Sequence, residues 1–187
     1  MSERIRKGLA ALASLARATA SQADLIEQMA ARYAATLRQG GTLFFAGNGG
    51  SAADAQHIAT EYVVRFVAQR RAYRAIALTT DTSLLTAAGN DLGFEQVFAR
   101  QVEAFAGPSD LLILHSTSGQ SANLVAAAEA ARRTGTPVVA LLGRDGGALR
   151  ALAELALVVE SAETSRIQEL HLAIEHLIVE RVEEMLQ

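Results

Sequence analysis

Two pairs of side chains in this sequence have the types and the spacing for proton transfer or metal binding. His57 and Glu61 stand four apart in "HIATE". On a helix they share one face, and can hold one metal ion or divide a proton transfer between an imidazole and a carboxylate. Gln168 and His176 stand eight apart in "QELHLAIEH", about 80° around a helix axis, and can also look the same way. His171 does not clearly share that direction with His176. Each residue has an ordinary alternative: a solvated helix glutamate, a packed helix histidine. Gln168 has a sharper one, because with Ser165 it completes "SRIQ", a capping box that accounts for it without a ligand. The chain has only four histidines, and two of them sit at these spacings, which favours the chemical reading.

Two loops offer cradles for a ligand. Residues 46–57, "AGNGGSAADAQH", follow an apolar run and lead into the segment that carries His57 and Glu61. Backbone N–H groups at a helix start lack intrahelical partners and attract phosphate, and glycines let a ligand come close to them. A nucleotide P-loop needs a lysine after its last glycine; Ser51 and Ala52 follow Gly50 here, which excludes it. Gly47, Gly49 and Ala52 match a loose dinucleotide fingerprint, but no acidic residue lies about 20 positions on at a strand end to hold a ribose. A tight strand-to-helix turn capped by Ser51 is the plain alternative. The second loop, in "STSGQSANLV", sets Ser116, Thr117, Ser118 and Ser121 around one glycine. A cap uses one hydroxyl, so four at one helix start make a cradle for a phosphate monoester without any lysine.

The elements that position these residues alternate regularly. Short apolar runs "TLFFA", "AIALTT", "LLILHS", "VVALLG" and "LALVVE" read as strands buried on both faces. Alanine-rich stretches with helical spacing lie between them: "SAADAQHIATEYVVRF", "LLTAAGN", "QVFARQVEAF" and "SANLVAAAEAARRTG". This βαβα order predicts a parallel sheet covered by helices. Ile5, Leu9, Leu12 and Leu15 give an apolar stripe to a first helix, "SQAD" marks the start of a second with Ser21 as its cap, and Gly40 and Gly41 end it. A long amphipathic helix, "SRIQELHLAIEHLIVERVEEML", closes the chain, and Pro108 and Pro137 fall where loops meet strands. The reading is one domain over 1–187, an N-terminal helix pair over 1–40 and an α/β core over 41–187. Its fold is a three-layer αβα sandwich with a five-stranded parallel sheet.

Composition sets outer bounds. A net charge of −3 leaves no basic field to collect phosphates, which argues against nucleic acid as a direct partner. With no cysteine there is no disulfide, thiolate metal site or cysteine nucleophile. Charges interrupt the first residues too often for a signal peptide, and no window approaches 18 apolar residues. The expectation is a cytoplasmic protein with no membrane partner.

The segments "GNGGSA" and "STSGQSAN", with "GNDLGF" between them and "RIQELH" after, together resemble the sugar isomerase (SIS) domain family, and within it the bacterial phosphoheptose isomerases, over nearly the whole chain. The resemblance implies an aldose–ketose isomerase that converts sedoheptulose 7-phosphate to D-glycero-D-manno-heptose 7-phosphate through an enediol, the first step of bacterial heptose biosynthesis. It implies one zinc per subunit held by His57, Glu61, Gln168 and His176, with Glu61 as proton-abstracting base and His176 as its acid/base partner. A carboxylate bound tightly to zinc is a poorer base, so Glu61 can hardly be full ligand and free base at once. Sugar contacts are implied for Asn48, Gly49, Gly50, Ser51, Glu61, Asn90, Asp91 and Gln168, and phosphate contacts for Ser116, Thr117, Ser118 and Ser121. A homotetramer with sites at subunit boundaries is implied as well. The rival reading is a non-catalytic SIS protein of the kind that associates with the replication initiator, which lacks the acid and the final histidine read here as Glu61 and His176. Two features depart from the family pattern. His115 stands at a strand end where a small or apolar residue is usual, and reads as a buried, hydrogen-bonded histidine. The segment "YVVRFVAQRRAYR" is rich in arginines that either meet a neighbouring subunit or face water; its Arg65, one turn past Glu61, is either a helper of the site or a surface arginine.

Overall fold

The computed structural model describes residues 2–187. Helices α1 (Ser2–Thr19) and α2 (Ala23–Arg38) precede an alternating core: β1 (Leu43–Gly47), α3 (Gly50–Val63), β2 (Ala75–Ala77), α4 (Thr82–Asp91), α5 (Ala99–Phe105), β3 (Leu111–Ser116), α6 (Ala122–Thr134), β4 (Val138–Gly143), β5 (Leu155–Val159) and α7 (Thr164–Leu186). The five strands pair in parallel in the order β2-β1-β3-β4-β5. The expected sandwich is therefore present.

Successive strand residues point to opposite faces of a sheet, and two cores result. Leu43, Phe45, Leu111, Ile113, Val139 and Leu141 pack with α2, α3 and α7. Their neighbours Phe44, Ala46, Leu112, Leu114, Ala140 and Leu142 pack under α5 and α6. Along β1, β3 and β4 both faces are covered, which is why these strands carry no polar alternation; on the edge strand β2, Ile76 stays 50% exposed.

Several helix boundaries differ from the sequence reading. Ser21 does not cap α2; its Oγ donates to Ala18 O at 2.8 Å. Thr19 keeps helical dihedrals, so a 3-10 turn over Ala20–Gln22 joins α1 to α2 and Ala23 N–H bonds Ala20 O, leaving no free helix start to cap. Helix α3 ends at Val63, three residues before the expected end, and the strand at 75–80 shortens to Ala75–Ala77. The "SRIQ" capping box does not form: α7 starts at Thr164 after Glu163, with no side-chain cap. Gln168 is thereby released for another partner.

His171 faces inward from α7, fully buried, with Nε2 3.0 Å from Leu142 O at the end of β4. Burial, and then the neighbouring His115, push its pKa down to about 3, against the opposing pull of the Leu142 carbonyl. Its neutral Nε2–H therefore donates throughout the working range. An unfolded histidine titrates near 6.5, so below that pH the unfolded chain holds a proton the folded chain refuses, and stability falls as pH drops from about 6.5 towards 3. At pH 5 this residue alone costs about 2 kcal/mol relative to pH 7. Urea unfolding at both pH values measures it; His171→Gln, which keeps an N–H donor but does not titrate, is expected to show the shallower pH slope.

Candidate active site

Strand β1 leads through α3 to β2 on one side, while β3 leads through α6 to β4 on the other. The C-terminal ends of β1 and β3 pair directly, Gly47 opposite His115. This reversal opens a crevice at the carboxyl ends of the strands, where open parallel sheets take their ligands. Both loops singled out in the sequence flank it. They are tied to one another: Asn48 Nδ2 donates to Asn123 Oδ1 and Asn123 Nδ2 to Asn48 Oδ1, each at 2.8 Å. Asn123 is almost fully buried. One buried asparagine in an alanine-rich helix carries no sequence signal. Both ends of the Asn48 amide are engaged in this clamp.

The hydroxyl loop is built on its own backbone. Ser116 Oγ accepts from Gly119 N–H at 3.0 Å and Ser118 Oγ from Gln120 N–H at 3.2 Å. Gly119 sits at φ +64°, and a Cβ there would lie 1.9 Å from Gly146 O. Its carbonyl accepts from Leu149 N–H at 3.1 Å. The loop after β4 thus braces the loop after β3 by backbone contact that only glycine permits. Ser121 flanks α6 without capping it by its side chain. Among the described residues, the hydroxyls of Thr117 and Ser121 make no side-chain hydrogen bond and remain available to a ligand, as do the N–H groups of Ala122 and Asn123 in the first turn of α6, whereas Leu124 N–H bonds Ser121 O.

At the other loop, Gly49 turns the chain at φ 57° and starts α3. Ser51 is buried inside the first turn and is not the cap. Two turns on, His57 and Glu61 meet α7. His57 Nε2 lies 2.9 Å from His176 Nε2 and 3.4 Å from Glu61 Oε1. One ligand atom from each of the three residues falls within 4.8 Å of the others. Two imidazole nitrogens held tetrahedrally at about 2.0–2.1 Å from a zinc ion sit roughly 3.3 Å apart, close to the observed spacing. The donor set of two nitrogens and one carboxylate oxygen therefore fits such an ion. Gln168 reaches the same helix start: a Cβ on Gly50 would lie 2.6 Å from its Oε1. Its amide thus lies at the start of α3, two turns before His57.

Behind the triad lies a buried polar layer. Glu175 Oε1 accepts from Tyr33 OH and meets His115 Nε2, each at 3.0 Å, and all three side chains are 0% exposed. The reading of His115 as buried and hydrogen-bonded holds. Asp54, one turn before His57 on α3, has an Oδ2 without a partner, and burial holds its carboxyl above the ordinary carboxylate range while His115 and His57 pull it down. Neither acid was singled out in the sequence, since an acid on a helix is ordinarily solvated. The arginine-rich segment is corrected in part. Arg70 neither faces water nor awaits a partner, but pairs with the buried Glu183 at 2.7 Å; Arg65 is exposed. Asn90 and Asp91 lie exposed at the end of α4 and bond each other at 2.7 Å; among the described residues, no hydrogen bond joins them to the triad.

The SIS domain family model matches residues 9–143. Among curated proteins, the chain is 51% identical over 183 residues to a phosphoheptose isomerase of Akkermansia muciniphila, covering 98% of this chain and 97% of that one. Solved phosphoheptose isomerases of Neisseria gonorrhoeae (38% identical, TM-score 0.93, 98% of both chains) and Francisella tularensis (34% identical, TM-score 0.94, 97% of both) superpose on it. Gln168 and His176 lie beyond the stretch matched by the family model, but within the reach of these near full-length similarities. Gly50 makes the site testable. Because the obstacle to a methyl group there is the end of a flexible side chain, Gly50→Ala is expected to keep its melting temperature while pushing Gln168 aside. Zinc affinity, read by competition with a chromophoric chelator, is expected to fall about 10-fold or more, the scale for disturbing a metal site's surroundings.

Proposed function

The chain belongs to the SIS domain family, and from that premise we propose that it is a phosphoheptose isomerase, interconverting sedoheptulose 7-phosphate and D-glycero-D-manno-heptose 7-phosphate. The observation that carries the reading is the convergence of His57 and Glu61 from α3 with His176 from α7, His57 and His176 being 119 residues apart in sequence. The full-length similarity to phosphoheptose isomerases supports it. A non-catalytic SIS protein needs neither the acid nor the final histidine, so their meeting argues against that alternative.

In this reading, the sugar's phosphate docks at the start of α6, where Thr117, Ser118 and Ser121 and the backbone N–H groups supply donors without a cation. That anchor, braced by Gly146 and Gly147, fixes the distance to the triad. The reacting carbons C1 and C2 then lie over Glu61, whose carboxylate takes the C1 proton and returns it at C2. His176 moves the second proton between O1 and O2, so that the ketose carbonyl becomes a hydroxyl and the aldehyde forms at C1. His57, Glu61, Gln168 and His176 would hold the zinc, which when bound supplies Lewis-acid polarisation of the sugar oxygens. Asn48 keeps the two loops in register, and Asn90 and Asp91 are sugar contacts only if the ligand or a neighbouring subunit reaches the end of α4.

We further infer a cytoplasmic homotetramer. The support for self-association is the exposure of Ile5 (65%) and Leu9 (62%) on α1, whose partners on the same stripe, Leu12 and Leu15, already pack on the core. No described helix is long and apolar enough to cross a membrane.

Turnover of sedoheptulose 7-phosphate by the purified protein, followed by NMR, tests the reading. Activity is expected to be lost on chelation and restored by zinc; no turnover with zinc present would reject the isomerase. Glu61→Gln is expected to cut kcat by about 10²- to 10⁴-fold, the range for losing a general base, with the far-UV spectrum unchanged. An unaltered rate would remove Glu61 as the base.

A further inference from the structure

Beyond Val63, eleven residues cross from α3 to β2 without regular structure, and their course depends on one carboxylate. Glu183, on α7 and 3% exposed, accepts from the backbone N–H groups of Phe66 (3.1 Å), Val67 (3.0 Å) and Ala68 (2.8 Å), and from Arg70 Nε (2.7 Å). Burial alone would raise its pKa, but these four donors more than offset that and hold it below the ordinary carboxylate range. Arg70 turns its other nitrogens to the end of α3, donating to Glu61 O at 2.6 Å and Tyr62 O at 2.9 Å. Its guanidinium lies 4.2 Å from the Tyr73 ring centroid. The same short loop lays the Phe66 ring flat on His176, with centroids 5.3 Å apart and planes 7° from parallel. Glu183 stands seven residues after His176, two turns along one face of α7.

We propose that Phe66, with the Glu183–Arg70 pair that holds its loop, is a positioning device for the catalytic pair, fixing the His176 ring and the Glu61 end of α3 in register. The loop does not touch the reacting atoms. It acts at two points: through Phe66 on the plane of the imidazole, and through Arg70 on the helix terminus from which the Glu61 side chain springs. An imidazole on a helix rotates about two side-chain bonds. The edge-on His57 ring (68° between planes, centroids 5.1 Å apart) restrains it from one side. Phe66 flanks it with a parallel ring, and in this orientation Nε2 faces His57 Nε2. A buried carboxylate with four donors is not needed merely to end a helix, since water satisfies the carbonyls of an exposed terminus. Its position behind His176 accounts for it.

The proposal rests on the isomerase reading for its kinetic arm and is independent of it in its spectroscopic arm. Stacking under a phenyl face shifts the His176 ring protons upfield, and His176→Gln identifies those signals by their disappearance from the zinc-loaded protein. Phe66→Leu, which breaks no hydrogen bond, is expected to move the signals downfield and to lower kcat about 10- to 100-fold, the scale of a misplaced catalytic group, with KM little changed. Phe66→Tyr, which keeps the ring face, is expected to restore both. Glu183→Gln is expected to move the signals in the same direction with Phe66 still present, because the loop loses its anchor. Unshifted signals, or full kcat in Phe66→Leu, would overturn the proposal, as would a Glu183→Gln variant that merely melts lower while its ring signals and kcat stay unchanged. If Glu183→Gln does not fold, the Phe66 pair decides alone. If the wild type does not turn over the heptose phosphate, the isomerase reading fails and the ring signals still judge the clamp.

Discussion

One buried carboxyl group, Glu175, sets the rotation of the helix on which the site depends. Its Oε1 serves Tyr33 on α2 and His115 on β3, so a single side chain registers the N-terminal helix pair, the central strand and the final helix. Burial and the nearby Glu175 keep the Tyr33 phenol protonated well above its ordinary range, and the donor is never lost. Leaving a buried donor or acceptor without its partner typically costs about 1–3 kcal/mol. Alternative rotations of α7 are excluded on that scale. With Glu175 pointing into the sheet, the residue next to it, His176, is directed along the neighbouring edge towards α3, Gln168 lies two turns back over the start of α3, and Glu183 two turns forward over the exit loop.

The sheet topology supplies the second half of the arrangement. Because β1 and β3 are adjacent yet send their helices to opposite sides, the starts of α3 and α6 face one crevice, and the Asn48–Asn123 pair keeps them together. One loop offers glycine backbone backed by Gln168, the other hydroxyls and free N–H groups braced by Gly146 and Gly147. The glycine loop and the hydroxyl loop thus stand at different helix starts, tied to one another by two amide hydrogen bonds.

Much of this was legible in the sequence because it rests on local patterns. The five apolar runs became the five strands since burial on both faces leaves no other composition, and the glycine and hydroxyl loops fell at strand ends as their turn residues required. His57 and Glu61 share a face because 3.6 residues per turn puts them there. The capping boxes at Ser21 and at Ser165–Gln168 failed for a reason the sequence does not carry. A cap forms only if the chain leaves helical geometry just before it, and at Ser21 the preceding helix continues into the turn. Arg70, Asn123, Glu175 and Glu183 escaped notice because each is polar in type and ordinary in spacing; what distinguishes them is burial, a property of the packed chain.

The sequence by itself determined which residues could do chemistry, the class of fold that presents them and the family likeness, since composition and period are properties of neighbours along the chain. Only the tertiary structure decided that His57 and His176, 119 residues apart, meet at 2.9 Å, and that Gln168 turns from a cap to the site. It also decided that an arginine-rich segment folds back to hold the helix that bears Glu61. Those outcomes depend on the rotation of α7 against α3. That rotation is fixed by buried hydrogen bonds between elements whose separation in sequence carries no trace of their contact.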